Sequence, residues 1–248
     1  MSDRVVILTF KVLVIPMQLR FICATGIFFL LVANTYAFVA NIFWLNIVSH
    51  IGYFIFAFLL FFHRSKAYNF NFYLFLSLTV ISYSLELFNT FWVFSEIAIL
   101  LQALSYLPLS LEATRHFKIK NLSYFMILYL ISIIGLNAYL LLLHINEMKT
   151  YISGDVTTII YTFYYLNLGA LGVTAMVYYL NSFSKKAMFF ISLAISIIFA
   201  NVLRDMGVFY FKDISVEITE SIIRMSSALF LVLFFITSEK SLKLDNFT

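Results

Sequence analysis

Two acidic residues lie inside long apolar stretches of the sequence. Glu86 falls in the run YLFLSLTVISYSLELFNT (73–90), and Asp205 follows Arg204 in the apolar run 187–211. A carboxyl group in a lipid-spanning segment is costly, so its presence there indicates a functional site by default. We expect the two acids to face one another in a helical bundle and to form the working site.

Two buried carboxyl groups favour acid/base chemistry that needs no metal and no cofactor. Burial stabilises the neutral form of a carboxyl group, and a second carboxyl nearby favours retention of one proton. One group can then donate a proton while the other stabilises a developing cation and activates water. We assign Glu86 as the proton donor because its neighbours are the more apolar, and Asp205 as the ionised partner because Arg204 is adjacent.

Polar side chains accompany both acids at helical spacing. Residues three or four positions apart share a helix face, so Tyr83 and Asn89 flank Glu86, and Asn201 precedes Asp205 on the same face. Arginine side chains are suited to a phosphate headgroup. The candidate substrate-binding residues are therefore Tyr83, Asn89, Tyr106, Asn201, Arg204 and Arg224.

A structural interpretation of the same residues stays open. Glu86 and Asp205 can form a buried hydrogen-bonded pair, or Asp205 can be clamped by Arg204 or Arg224. Glu220 and Arg224 have the i,i+4 spacing, acid first, that an ion pair within one helix prefers.

Metal and nucleophile motifs are not found in the sequence. The four histidines show neither HxxxH nor HExxH spacing, and the single Cys23 excludes a cysteine-based metal site. No Gly-rich phosphate loop and no serine-hydrolase motif occurs either. We therefore predict a site without a metal or cofactor.

Composition predicts an all-α integral membrane protein. The chain has 248 residues, of which 63% are hydrophobic and 11% charged, and its mean hydropathy is +0.98. Soluble domains are about half apolar and about a quarter charged. At about 20 residues per span, charged and polar breaks define an eight-transmembrane-helix bundle with spans 21–40, 45–62, 70–90, 94–111, 122–144, 156–179, 187–211 and 220–237.

Charge placement predicts the topology. Basic residues are enriched in cytoplasmic loops, and an eight-span chain with both termini cytoplasmic puts most of the 16 Lys and Arg residues on that side. In this interpretation residues 1–20 are an N-terminal interfacial segment, 21–238 the transmembrane domain and 239–248 a cytoplasmic tail. The pairs Lys118–Lys120 and Lys185–Lys186 are interpreted as topology determinants that contact lipid headgroups.

Three segments of the chain resemble, in their order and spacing, those of the YhhN-like lysoplasmalogenase family of eight-span membrane proteins. The segment 82–87, with Glu86, stands where that family has a Gly-Asp pair, and 102–106, ending in Tyr106, stands where it has a His and a Tyr. The segment 201–210 carries Asp205 at the place of the family's buried aspartate. Leu85 and Ala103 stand where the family has glycine and histidine.

The resemblance implies an activity, namely hydrolysis of the vinyl ether bond of a lysoplasmalogen. It implies membrane lipids as partners and a lysophospholipid as substrate. The net charge of +4 does not indicate a nucleic-acid partner, because the placement of the basic residues matters more. The bias toward Phe, Ile, Asn, Lys and Tyr is typical of AT-rich bacterial genomes, so we expect the bacterial inner membrane. The sequence leaves the oligomeric state open.

Two other functions compete with a hydrolase. Buried acids on opposed helices also serve as proton relays in small proton-coupled transporters. A sensor or assembly subunit without catalysis would use the same acids structurally.

Overall fold

Eight α-helices account for most of the residues that the structure describes, and those residues contain no strand. The structure is a computed structural model, and it describes residues 17–65, 68–88, 91–116, 124–148, 150, 154–210 and 213–239. In chain order the helices are α1 (Met17–Val39), α2 (Phe43–Arg64), α3 (Phe70–Glu86), α4 (Trp92–Thr114), α5 (Tyr124–Met148), α6 (Asp155–Ser182), α7 (Lys185–Phe209) and α8 (Ile214–Ile236).

Local sequence signals explain where several helices begin. Asn69, Ser184 and Asp213 each accept a hydrogen bond from a backbone N–H in the first turn of the helix that follows. Such side chains satisfy donors that an isolated helix end leaves unpaired.

Six of the described helical segments are long and apolar enough to cross a membrane. They are Phe43–Arg64, Trp92–Thr114, Ile131–Met148, Asp155–Ser182, Lys185–Phe209 and Ile214–Ile236. Large apolar side chains such as Phe28, Trp44, Phe62 and Val208 are exposed on the outside of the helices. A contiguous apolar surface of this kind suits lipid and not water. The chain is thus an all-helical, multi-pass membrane protein.

The third predicted span differs from the expected 70–90. Helix α3 has 17 residues and ends at Glu86, and a turn at Leu87 and Phe88 follows. At 1.5 Å per residue it is about 25 Å long, somewhat less than the roughly 30 Å hydrocarbon core. The described helix is therefore shorter than the expected span, and Glu86 is its last residue.

The core of the bundle is aromatic. The ring centroids of Phe61 on α2 and Phe72 on α3 are 3.9 Å apart, and those of Phe190 on α7 and Phe234 on α8 are 4.7 Å apart. Helix α7 packs extensively on α8, as do α3 and α6 on α4, whereas α5 packs chiefly on α6. The tightly packed helices α3, α4, α6, α7 and α8 carry the polar site.

Candidate functional site

Arg204 on α7 is the centre of a polar network between five helices. Its Nε donates to Asp205 Oδ1 at 3.2 Å, its Nη1 to Gln102 Oε1 on α4 at 2.8 Å, and its Nη2 to the Tyr164 hydroxyl on α6 at 3.2 Å. Arginine presents its donors in a fixed planar fork, so three acceptors in these directions fix the guanidinium. We call Arg204, the groups that it contacts and the residues hydrogen-bonded to those groups the Arg204 network.

Asp205 is held on both carboxylate oxygens. Oδ1 accepts from Arg204, and Oδ2 accepts from the Tyr165 hydroxyl on α6. The same hydroxyl lies 2.8 Å from His144 Nε2 on α5. Asp205 is only 2% exposed. A buried carboxylate with an arginine and a hydroxyl donor is charge-compensated and firmly positioned.

Glu86 is held much more loosely than Asp205. Its Oε1 lies 4.0 Å from Arg204 Nη1, and 24% of its side chain is exposed. The distance is beyond that of a hydrogen bond. Glu86 and Asp205 therefore share a single arginine, which binds Asp205 closely and leaves Glu86 accessible at the end of α3.

Two amides extend the Arg204 network between α4 and α7. Gln102 Nε2 donates to Asn201 Oδ1 at 3.3 Å, and Asn201 Nδ2 donates to the Tyr106 hydroxyl at 2.8 Å. Gln102, Asn201 and Tyr106 are all buried. Each buried polar group has a partner, and the chain of bonds fixes the rotamers of the residues around Arg204.

A second network surrounds Arg224 on α8. Arg224 Nε donates to Glu220 one turn earlier, and Nη1 donates to the Tyr83 hydroxyl on α3. His50 Nε2 on α2 lies 3.4 Å from Glu220 Oε2. Arg224 Nη2 has no hydrogen-bond partner in the described parts of the chain. We call this group the Arg224 network, and it confirms the i,i+4 ion pair expected from the sequence.

Helix α3 joins the two networks. Tyr83 binds Arg224, and Glu86, three residues later, faces Arg204. Residues at that spacing lie on one helix face. The last turn of α3 thus lies between two arginines, and its only acidic group is the partly exposed Glu86 carboxyl.

The structure brings most of the predicted site residues together. Glu86, Tyr106, Asn201, Arg204 and Asp205 belong to the Arg204 network, and Tyr83 and Arg224 to the Arg224 network. Asn89 lies outside the described residues. The roles of these residues in catalysis or substrate binding stay predictions.

Four partners in the Arg204 network were not among the predicted site residues. They are Gln102, His144, Tyr164 and Tyr165. The available signal was weak but present, because adjacent tyrosines in the middle of an apolar span place two hydroxyls where lipid cannot satisfy them.

The described residues contain no group of three or more His, Cys, Asp or Glu side chains that could hold a metal ion. Comparison with known proteins finds no family model, no curated protein and no solved structure that matches the chain.

Proposed function

We propose that this multi-pass membrane protein is a lipid-directed hydrolase that cleaves a vinyl ether bond, like the lysoplasmalogenases that its sequence resembles. The supporting observation is that Glu86 and Asp205 share one arginine. Arg204 neutralises only one carboxylate, and uncompensated charge in an apolar environment is costly. The cluster is neutral when one acid carries a proton, and the loosely paired Glu86 is the acid that can exchange it.

Vinyl ether hydrolysis needs one proton donor and one water molecule. Glu86 donates its proton to the alkene carbon remote from the ether oxygen, and the carbon attached to that oxygen becomes an oxocarbenium ion. Water adds to this carbon and returns a proton to the Glu86 carboxylate. The resulting hemiacetal loses its hydroxyl proton and breaks its bond to the glycerol oxygen, which takes up a proton, so the products are a fatty aldehyde and a glycerophospho-headgroup alcohol.

In this proposal Asp205 and Arg204 contribute through their fixed positions and their charges. Asp205 is fixed by Arg204 and Tyr165, so it holds the arginine in place and keeps a negative charge near the developing cation. Arg224 is the better candidate for a headgroup phosphate, since its Nη2 lacks a hydrogen-bond partner among the described residues. Each of the three guanidinium nitrogens of Arg204 already donates a hydrogen bond within the network.

A comparison of two lysolipids tests the reaction class. The purified chain is incubated with a 1-alkenyl lysophospholipid and, in parallel, with its 1-alkyl analogue, and fatty aldehyde is quantified. Aldehyde from the alkenyl lipid alone is the expected result, because only a vinyl ether yields a stabilised cation on protonation. Absence of aldehyde from both lipids would contradict the proposal.

The topology is also a proposal. We infer that all eight helices span the membrane, with both termini on the cytoplasmic side of a bacterial inner membrane. Support comes from exposed arginines at one end of the bundle, Arg64 at the end of α2 and Arg115 just after α4. Cysteine labelling of intact cells at Arg64 and at Asp155, after replacement of Cys23, would distinguish the two faces.

A proton-coupled carrier is the second candidate, and one observation favours it. The groups His144, Tyr165 and Asp205 form a continuous hydrogen-bonded chain that leads to Arg204. Such chains serve as proton relays in membrane proteins. Proton flux into proteoliposomes under an imposed potential, reported by a pH-sensitive dye and abolished by Asp205→Asn, would favour the carrier over the hydrolase.

A further inference from the structure

A second titratable cluster lies at the end of the bundle where α7 begins. Five side chains from α4, α6, α7 and the segment after α8 form it, and we call it the His116 cluster: Glu112, His116, Tyr178, Lys186 and Glu239. Lys186 and Arg204 are separated by 18 positions on α7, which is roughly 27 Å along a helix. The His116 cluster shares no residue with the Arg204 network, so it does not depend on the proposed function.

Lys186 is unusual because it is buried. It is only 8% exposed, its Nζ lies 3.0 Å from His116 Nε2, and it stands 5.2 Å from the centre of the Phe234 ring. The expectation that Lys186 contacts lipid headgroups is therefore wrong. An ammonium group has no lone pair, so Lys186 donates and His116 accepts at Nε2, which requires a neutral imidazole.

His116 is linked to the segment that follows α8. Its ring stacks on the Tyr178 ring, with centroids 5.9 Å apart and planes 22° apart. The Tyr178 hydroxyl donates to the Glu239 carboxylate, three residues beyond the end of α8. A change in the position of the His116 ring therefore acts on the residue that anchors Glu239.

Charges of both signs face His116 from the elements packed against it. Glu112 Oε1 lies 3.9 Å from His116 Nε2, and Glu112 also binds Arg115 at 3.3 Å and Asn71 of α3 at 2.7 Å. Burial, and next the positive charge of Lys186, lower the pKa of His116, and they outweigh the opposite effects of Glu239 and Glu112. A second cation at His116 is therefore unfavourable in this arrangement.

The lowered pKa of His116 determines how its contribution to stability changes with pH. The pKa of His116 is lowered from its ordinary value of 6.5 in the folded protein. Its contribution to stability is thus fully present above pH 6.5 and is lost as the pH falls through the lower folded value. Protonation removes the acceptor for Lys186 and leaves two cations in contact.

We propose that His116 is a pH-sensitive latch, which holds the end of α8 through Tyr178 and Glu239 while neutral and releases it when protonated. The trigger is a single proton on the imidazole, and the responding element is the segment around Glu239. Acidification on this side of the membrane thereby loosens the packing of the end of α8 against α7.

A nitroxide label next to Glu239 tests the latch. The full-length chain carries Cys23→Ser and Ser238→Cys, and its electron paramagnetic resonance spectrum is recorded in detergent between about pH 7.5 and about pH 5.5, the range in which histidine titrates. The mobile fraction of the label is expected to rise about twofold or more on acidification. Tyr178→Phe removes the hydroxyl that holds Glu239, so it should give the mobile spectrum at every pH.

Two variants and one control assign the response to His116. His116→Gln keeps a side-chain acceptor for Lys186 but cannot titrate, and Lys186→Met removes the cation, so each should flatten the pH response. His63→Gln changes an exposed histidine at the end of α2 and should leave the response intact. A pH-independent label in the parent protein, acid-induced immobilisation, or a full response in His116→Gln would each overturn the proposal.

Discussion

The two arginines of the bundle are held in different ways. Arg224 pairs with Glu220 on its own helix, and both side chains are almost fully buried. Arg204 takes its main partners from α4 and α6, and 19% of its side chain is exposed. The first arrangement is a closed pair with one acid for one base, whereas the second leaves an additional acid, Glu86, at its edge.

This difference separates a structural pair from a reactive site. A closed buried ion pair gains little from further partners and is damaged mainly when one member is removed. In a cluster of one arginine and two carboxyl groups, one carboxyl group can gain or lose a proton with little structural change. This is possible here because the more weakly bound acid is partly exposed. We therefore expect stability to depend most on the Arg224 network and proton transfer on the Arg204 network, while Arg224 Nη2 is left to bind the headgroup phosphate.

The largest loss of stability is expected from Arg224→Met. This change leaves Glu220 buried without its arginine, with His50 and the Ser221 hydroxyl nearby, and removal of one partner of a buried pair costs about 3–5 kcal/mol. Thermal unfolding of the purified protein in detergent measures it. The double variant Glu220→Gln/Arg224→Met should recover most of the loss, and equal damage in the single and double variants would contradict the closed-pair description.

Asp205→Asn should lower the free energy of unfolding by less than Arg224→Met does, although Asp205 is as buried as Arg224. Arg204 keeps Gln102, Tyr164 and Glu86 as partners, so the loss is that of a charged hydrogen bond, about 1.5–3 kcal/mol. Asp155→Asn is the matched control, because Asp155 is exposed at the start of α6. A stability change as large as that of Arg224→Met would show that the Arg204 network is also a closed pair.

Tyr165→Phe is expected to have a smaller effect. It removes one hydroxyl that connects Asp205 Oδ2 with His144 Nε2, and such a loss is about 1 kcal/mol. Tyr161→Phe, one turn earlier on α6, removes a hydroxyl without touching Asp205 and serves as control. If both variants unfold at the same temperature as the parent, the bond from Tyr165 does not position Asp205.

The smallest expected effect concerns Asp213 at the start of α8, outside both networks. The hydroxyl and backbone N–H of Ser215 lower the pKa of the Asp213 carboxyl below its ordinary value of 3.8. The contribution of the ionised Asp213 carboxylate to stability is therefore present above pH 3.8 and is lost as the pH falls through its lower pKa in the folded protein. In unfolding scans at different pH values, Asp213→Asn should abolish this slight loss of stability at acidic pH. A pH profile unchanged from that of the parent protein would show that the Asp213 cap does not cause the loss.

Local features of the site could be predicted from the sequence, and long-range partners could not. The Glu220–Arg224 pair follows from i,i+4 spacing alone. Gln102 lies 102 positions from Arg204 in the chain, and only the packing of α4 on α6 and of α6 on α7 brings them together. No spacing rule in a single sequence contains that information.

The end of α3 shows a second reason for failure. Leu87 and Phe88 continue the apolar pattern, with no glycine or proline to mark a helix end, so periodicity extends the span to residue 90. The burial of Lys186 could not be predicted either, because charge asymmetry indicates the side of the membrane and not whether a particular lysine points into the bundle.

The most direct measurement compares aldehyde release from the alkenyl lysolipid by the parent protein, Glu86→Gln and Glu96→Gln. Glu96 on α4 is a second partly exposed acid that binds Thr157 and has no contact with Arg204 in the described structure. Loss of a general acid typically reduces the rate about 10²–10⁴-fold. The account predicts such a loss for Glu86→Gln and a near-parental rate for Glu96→Gln, whereas an unchanged rate in Glu86→Gln would contradict it.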